Sequence, residues 1–445
     1  MSERSLILTI NGRQVGTVRE INGYWAFQYS EAWLKERGAY PISPALPLQV
    51  GEHLDNSTSR KVAWFFDNLL PEEAERTNLA KEVNLSEADA WGLLSAYGAE
   101  SAGALTLLPP ETSLPESSYR PLSMPDLNRR INDLPNRPLT AGSPKRMSLA
   151  GAQAKLAVAW IAPDHFFEPV GNAPSMHILK PDSRAEAYPH TAANEYFCMT
   201  LAHRLGLPVP PTHFSYTSGD GHPIYLVNRF DREVPTATPQ SVPSLEEQLS
   251  RFATTARIQS VDTLQLLGLD RAFKYTLANV TTIREALTRI STPARARNDL
   301  FSWTVFNALI GNADAHLKNI SFLIDSQGIR LAPFYDLVST AVYNQPEPGT
   351  PSVVWHQENL SMPIGKALTF QEIERDDFFA FAEELNVPRT AANRILTHFA
   401  DHSLPLAQTL LTDGPFDLKR AQEQRLLRSI VYLPINEIIA KLKSQ

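Results

Sequence analysis

The chain has 445 residues, 43% of them hydrophobic and 20% charged, a composition that fits two or three packed units of roughly 100–200 residues and leaves little room for a long disordered region. Its formal net charge of −7 excludes a protein that coats nucleic acid by itself, since that task needs an excess of Lys and Arg to displace counterions. The single cysteine, Cys198, excludes an intrachain disulfide or a cysteine-paired zinc site and reads as cytoplasmic, and no apolar run approaches the roughly 18 residues that span a bilayer or form a secretory leader.

The first thirty residues alternate short β-rich runs with turns: Leu6–Ile10, Asn11-Gly12, Gln14–Val18, Asn22-Gly23, Tyr24–Tyr29. Asn-Gly suits two-residue hairpin loops because both positions tolerate positive φ, so a small antiparallel meander is expected. Arg60–Tyr97 reads as helical and Ala104–Leu108 as a strand, giving an α+β unit over 1–110. Residues 111–145, rich in Pro, Ser and Asn, read as a linker or irregular connection. Next come the strand His177–Lys180, a helix from Thr191 to Leu205 with Thr191 as a capping candidate, and the strand Ile224–Asn228, which place the rest of an N-lobe over 146–240. Residues 241–445 are mostly helical, with a short hairpin at Asn319–Ile324 and Gly328–Pro333, and with helices at Gln371–Leu385, Arg389–Phe399 and Leu418–Lys443. A strand-rich half followed by a helix-rich half predicts an α+β fold with two kinase-like lobes.

The strongest local signal is Gly311-Asn312-Ala313-Asp314-Ala315-His316-Leu317-Lys318-Asn319, followed by Pro333-Phe334-Tyr335-Asp336. Transfer of a γ-phosphoryl group needs a carboxylate to orient the attacking hydroxyl and oxygen ligands for magnesium. Asp314 and Asn319 have the five-residue spacing of a kinase catalytic Asp and metal-binding Asn, and Asp336 is expected on the strand beyond as the second metal ligand. Each of the three, taken singly, reads as an ordinary loop or cap residue. His316 follows Asp314, whereas common protein kinases place the His before it; the D-x-H-x-x-N order is also that of the phosphoinositide kinase loop.

Lys180 ends its strand where a kinase lysine pairs with the α- and β-phosphates, and Glu195 in the next helix is a candidate carboxylate to hold it. Alone, a strand-terminal lysine is usually a solvated charge. The segment Ser148-Leu149-Ala150-Gly151-Ala152-Gln153-Ala154-Lys155 has the small residues that let backbone N–H groups approach phosphates, and is otherwise an ordinary turn.

Several stretches together resemble the HipA family, the toxin kinases of HipA–HipB toxin–antitoxin modules. They are Phe65-Phe66-Asp67-Asn68-Leu69-Leu70-Pro71, Ser148–Lys155, Asn194-Glu195-Tyr196, Asn228-Arg229-Phe230-Asp231-Arg232, Gly311–Asn319 and Pro333–Asp336. The resemblance implies ATP and Mg2+ as cofactors, Asp314 as catalytic base, Asn319 and Asp336 on magnesium, and Lys180 on the nucleotide phosphates. It places Ala150, Gly151, Ala152, Gln153, Ala154 and Lys155 in the phosphate loop, Asn228, Arg229 and Phe230 in the adenine hinge, and His316, Lys318 and Tyr335 beside the nucleotide. Ser148 is implied as an autophosphorylated serine whose modification ejects its loop and inactivates the enzyme. The implied partners are a HipB-like helix-turn-helix antitoxin, operator DNA reached only through it, and a translation protein of the aminoacyl-tRNA synthetase class as substrate. Ala154 stands where an acidic residue is usual, Asn228 where Glu is common, and Arg257–Asp262 keeps only the Asp of a usual Gln-Glu-Asp segment. The competing readings are a lipid or small-molecule kinase, which the lack of a basic amphipathic stretch disfavours, and a non-catalytic ATP-binding repressor subunit.

Overall fold

The computed structural model of the protein describes residues 3–151, 153–234, 243–343 and 355–444. The chain opens with β1 (Arg4–Ile10), β2 (Arg13–Ile21) and β3 (Tyr24–Tyr29), then α1 (Glu31–Leu34), β4 (His53–Leu54), α2 (Lys61–Asp67), α3 (Glu73–Glu82), α4 (Ala90–Tyr97) and β5 (Leu105–Leu108). The five strands form one antiparallel sheet in the order β4-β3-β2-β1-β5. Asn11, Gly12, Asn22 and Gly23 all have positive φ, and Ile10 pairs with Arg13 and Ile21 with Tyr24, so both hairpins close with two residues as the Asn-Gly pairs require. Leu6, Leu8, Ile10, Val18 and Phe27 are buried, and Trp25 meets Phe66 of α2 and Trp91 of α4 at ring-centroid distances of 6.3 and 4.9 Å.

A second antiparallel sheet contains β6 (Ser118–Leu122), β7 (Leu156–Ile161), β8 (His165–Val170), β9 (His177–Pro181), β10 (Thr212–Tyr216) and β11 (Pro223–Asn228) in the order β10-β11-β9-β7-β8-β6. Residues 111–145 are therefore not an irregular connection. They supply β6 and the helix α5 (Met124–Asp133), whose Leu127 and Ile131 are buried in one apolar cluster with Leu156, Val158, Leu179 and Ile224. Helix α6 (Thr191–Arg204) packs on β10 and β11. Thr191 is its first helical residue rather than its cap: its hydroxyl accepts the Ser183 N–H at 2.8 Å, and the Asp182 carboxylate, outside the helix, accepts the Ala192 N–H at 2.9 Å.

A ribbon of β12 (Arg232–Glu233) and β13 (Ala256–Arg257) leads with α7 (Leu245–Ala253) into the C-lobe. There β14 (Gln259–Asp262), β15 (Ser321–Asp325) and β16 (Gly328–Leu331) form a three-stranded sheet, with α8 (Thr263–Leu267), α9 (Val280–Leu287) and α10 (Pro293–Leu309) between β14 and β15. After the hairpin β17 (Asn359–Ile364) and β18 (Ala367–Thr369), the chain is closed by α11 (Arg375–Glu384), α12 (Arg389–Asp413), α13 (Ala421–Ile430) and α14 (Asn436–Lys443). One apolar core runs from Leu6 of β1 through Phe197 of α6 and Phe306 of α10 to Leu442 of α14.

Candidate active site

Helix α10 brings the chain into the site and stops at Gly311, where φ is 64° and a Cβ would lie 2.7 Å from that of Ala341. The loop that follows is clamped through its own backbone. The Asn312 side chain accepts the Asp314 N–H at 3.0 Å, and the Asp314 carbonyl accepts both the His316 N–H at 2.9 Å and the Asn319 amide nitrogen at 2.8 Å. With that nitrogen engaged, the amide oxygen of Asn319 is the side left for a cation. The Asp314 side chain is 57% exposed. Its Oδ1 accepts the Tyr275 hydroxyl at 2.5 Å and lies 3.8 Å from His316 Nε2.

Asp336 lies beyond β16 in irregular backbone, not on a strand as expected, with φ at +58°. A non-glycine residue in that region costs of order 1 kcal/mol, and such strain concentrates at functional positions. Its Oδ1 accepts from Lys180 Nζ, which also meets both oxygens of Glu195 at 2.8 and 3.0 Å. The antiparallel pairing of β9 with β11 sets Lys180 in the sheet, and α6 lays Glu195 against it. Burial works against these charges; nonetheless Asp336 and Glu195 hold the Lys180 ammonium above its ordinary range, and Lys180 and Lys155 hold the Asp336 carboxyl down at about 2. An ionised carboxylate already faced by a cation, with the Asn319 oxygen at the end of the neighbouring loop, is a hard-oxygen donor set of the kind magnesium takes.

The Ser148–Lys155 segment runs beside this cluster. Lys155 Nζ donates to the Ala150 carbonyl at 2.6 Å, Gln153 bridges the Pro181 carbonyl and the Thr191 hydroxyl at 3.4 Å each, and Ala154 packs on the cluster around Leu127. Gly151 takes φ +107°, which the turn demands. Ala152 lies outside the described residues. Ser148 is fully buried: its hydroxyl donates to the Leu69 carbonyl at 2.6 Å and its N–H to the Glu100 carbonyl at 2.8 Å.

At the hinge, Asn228 is exposed and its N–H donates to the Pro211 carbonyl, while the Phe230 and Tyr335 rings lie 5.5 Å apart at 30°. The Tyr335 hydroxyl donates to the Lys318 carbonyl at 2.7 Å, which fixes that ring by the Asp314–Asn319 loop. Two residues expected at the nucleotide have their side chains bonded elsewhere. Arg229 is buried and bonds to Asp231, Ser175 and Glu100. Lys318 is buried against Asp262 at 2.7 Å and the Asn68 side chain at 2.8 Å, so it ties the Asp314–Asn319 loop to the end of α2. Conversely, sequence reasoning passed over Tyr275, Glu72 and Glu100. Glu72 meets Lys274 at 2.6 Å, next to Tyr275, and Lys318 at 3.6 Å.

Residues 6–108 match the HipA N-terminal domain and residues 147–405 the HipA-like C-terminal domain. The chain belongs to the HipA family. It is 34% identical to a Sinorhizobium fredii protein provisionally designated kinase Y4mE, over 93% of both chains. It is 30% identical to the serine/threonine-protein kinase toxin HipA of Shewanella oneidensis, over 88% of this chain and 86% of that one. Its fold is similar to a chain in the solved complex of HipA, HipB and operator DNA from Shewanella oneidensis MR-1, with a TM-score of 0.77, 25% identity and 98% of each chain covered. This HipA family member is thus a kinase by kinship, with the α+β kinase-like architecture of the family. Among its described residues no helix is long and apolar enough to cross a membrane.

Proposed function

We propose that the chain is a cytoplasmic serine/threonine-protein kinase, the toxin of a HipA–HipB-like module, which moves the γ-phosphoryl group of ATP to a protein hydroxyl. The observation that carries this reading is Lys180 set between Glu195 and Asp336, with the Asp314–Asn319 loop alongside. Lys180 and Lys155 take the charge of the nucleotide phosphates, Phe230 and Tyr335 border the adenine, and the Asn319 and Asp336 oxygens hold magnesium. Held there, magnesium would neutralise phosphate charge. Asp314 receives the proton of the attacking hydroxyl as that oxygen bonds to the γ-phosphorus and the bond to the ADP oxygen breaks.

Ser148 fits an autophosphorylation switch for a steric and electrostatic reason. Its hydroxyl is buried on the Leu69 carbonyl, so it must leave that seat to be modified. A phosphoserine of nearly two negative charges could not return beside a carbonyl oxygen, and the displaced loop would no longer serve ATP. The substrate belongs to the translation machinery, with the aminoacyl-tRNA synthetase class implied by the family. A HipB-like antitoxin would bring this acidic chain to operator DNA, a division of labour that suits its net charge of −7.

Incubation with γ-labelled ATP and Mg2+, with and without cell extract, tests the reading against an Asp314→Asn variant. Label on Ser148 and on an extract protein, lost in the variant, is expected. Label in lipid instead, or none from the intact protein, would sink it in favour of a lipid kinase or a non-catalytic repressor subunit.

A further inference from the structure

Asp314 presents a problem of aim. Its backbone is clamped at both N–H and carbonyl, yet its side chain is more than half exposed, and a carboxylate in water rotates freely about two torsions. Reactivity at a bound substrate is sensitive to misplacements of well under an ångström. Among the described residues, the carboxylate accepts one hydrogen bond, from the Tyr275 hydroxyl to Oδ1 at 2.5 Å. Oδ2 accepts none from the described residues. Tyr275 is itself held: its ring stands edge-on to His316 at 5.0 Å, Lys274 Nζ lies 5.1 Å from its centroid, and the Lys274 carbonyl accepts the Leu317 N–H at 3.2 Å. Lys274 is anchored in turn on Glu72.

We propose that Tyr275 is the positioning residue of the catalytic base: its hydroxyl fixes Oδ1 of Asp314 and so turns Oδ2 toward the acceptor hydroxyl. This rests on the kinase reading above. The pattern is that of a base oriented by a third group, in which the orienting residue does not touch the substrate. A tyrosine suits the task, because a rigid ring with one donor at its tip places a hydrogen bond with few torsions to freeze. The Tyr275 hydroxyl stays protonated, because burial and the Asp314 charge both raise it above its ordinary range.

The test is a kinetic cycle on the full chain with Mg2+, ATP and α-casein as a serine-bearing acceptor, reading ADP release and phosphoprotein. Tyr275→Phe keeps the ring and removes only the donor. It should leave Tm unchanged and the KM for ATP within about twofold of the parent while kcat falls roughly 10- to 100-fold. Since the effect runs through Asp314, adding Tyr275→Phe to Asp314→Asn should produce no further loss, whereas independent effects would multiply. A Tyr275→Phe kcat within twofold of the parent, or a multiplicative loss in the double variant, would overturn the proposal alone. Absence of any Asp314-dependent turnover in the parent would overturn the kinase reading and this inference with it.

Discussion

Lys155 and Lys180 bring two ammonium groups toward one carboxylate, and their surroundings separate them. Lys180 is locked between Asp336 and Glu195, whereas Lys155, among the described residues, hydrogen-bonds only to the Ala150 carbonyl. Burial, and then the charge of Lys180, push Lys155 down to about 8. In the free protein it therefore loses its proton just above neutrality, while phosphate oxygens in the site favour its charged form. Nucleotide binding then takes up a proton above pH 8, so affinity is highest below that pH and falls as pH rises through it, by up to about tenfold per unit. Titration with a fluorescent ATP analogue from pH 7 to 9 should show this slope, and Lys155→Met should bind more weakly at pH 7 with the slope gone. An unchanged slope in the variant would remove Lys155 from the phosphate site. The sequence could single out these two lysines, Asp314, Asn319 and Asp336 because each lies in or beside a short motif, and the structure sets Lys180 against Asp336. The surroundings of Lys318 could not be read: between Asp314 and Asn319 it looks like a phosphate ligand, yet its partner Asn68 lies 250 residues away. Tyr275 was invisible for the same reason, 39 residues from Asp314 with no signature around it.

At the scale of elements, the segment joining α2 to α3 reaches across to the Asp314–Asn319 loop. Asn68 and Glu72 hold Lys318 and Lys274, one inside the loop and the other beside Tyr275. Lys318 and Lys274 draw the Glu72 carboxyl below its ordinary range although burial opposes this. Glu72→Gln keeps the shape and removes the charge, at a cost of about 1–3 kcal/mol for weakened charge-assisted hydrogen bonds. Activity should fall severalfold through kcat, with ATP affinity kept, when ADP release and analogue binding are measured together; a loss confined to ATP affinity would refute the link to the base. The elements that sequence reading located were those with strong local signals, such as the Asn-Gly hairpins and the β15–β16 hairpin. It missed β6 because that strand is mostly exposed and its Ser, Tyr, Arg and Pro follow no clear alternation. It ended α12 early, at Phe399, although the helix continues past Pro405 to Asp413, because a proline normally marks a helix end.

For the whole molecule, the N-terminal unit and the kinase lobes share one interior. Gln265 donates to the Phe65 carbonyl at 3.0 Å, Ser43 to the Gln265 carbonyl at 2.7 Å, and Gln259 to the Ile42 carbonyl at 3.0 Å. Glu100 makes a charged link, with Lys145 at 2.7 Å, Arg232 at 2.7 Å and Arg229 at 3.3 Å, all buried. Burial opposes the Glu100 charge, yet Lys145 and the surrounding arginines keep its carboxyl well below the usual range. Such a cluster adds little to stability relative to an apolar one, but removal of its carboxylate leaves Lys145, Arg229 and Arg232 as buried cations with too little counter-charge, at about 3–5 kcal/mol. Glu100→Ala should therefore lower the urea midpoint steeply. Because the core is continuous from Leu6 to Leu442, the loss should fall on both units at once. Near-ultraviolet dichroism, reporting Trp25 and Trp91 in the N-terminal unit and Trp303 in α10, should unfold along the same curve as far-ultraviolet helicity, in parent and variant alike. Two separated transitions, or a residue 111–445 fragment that folds alone, would show that the N-terminal unit is an appendage rather than part of the kinase core.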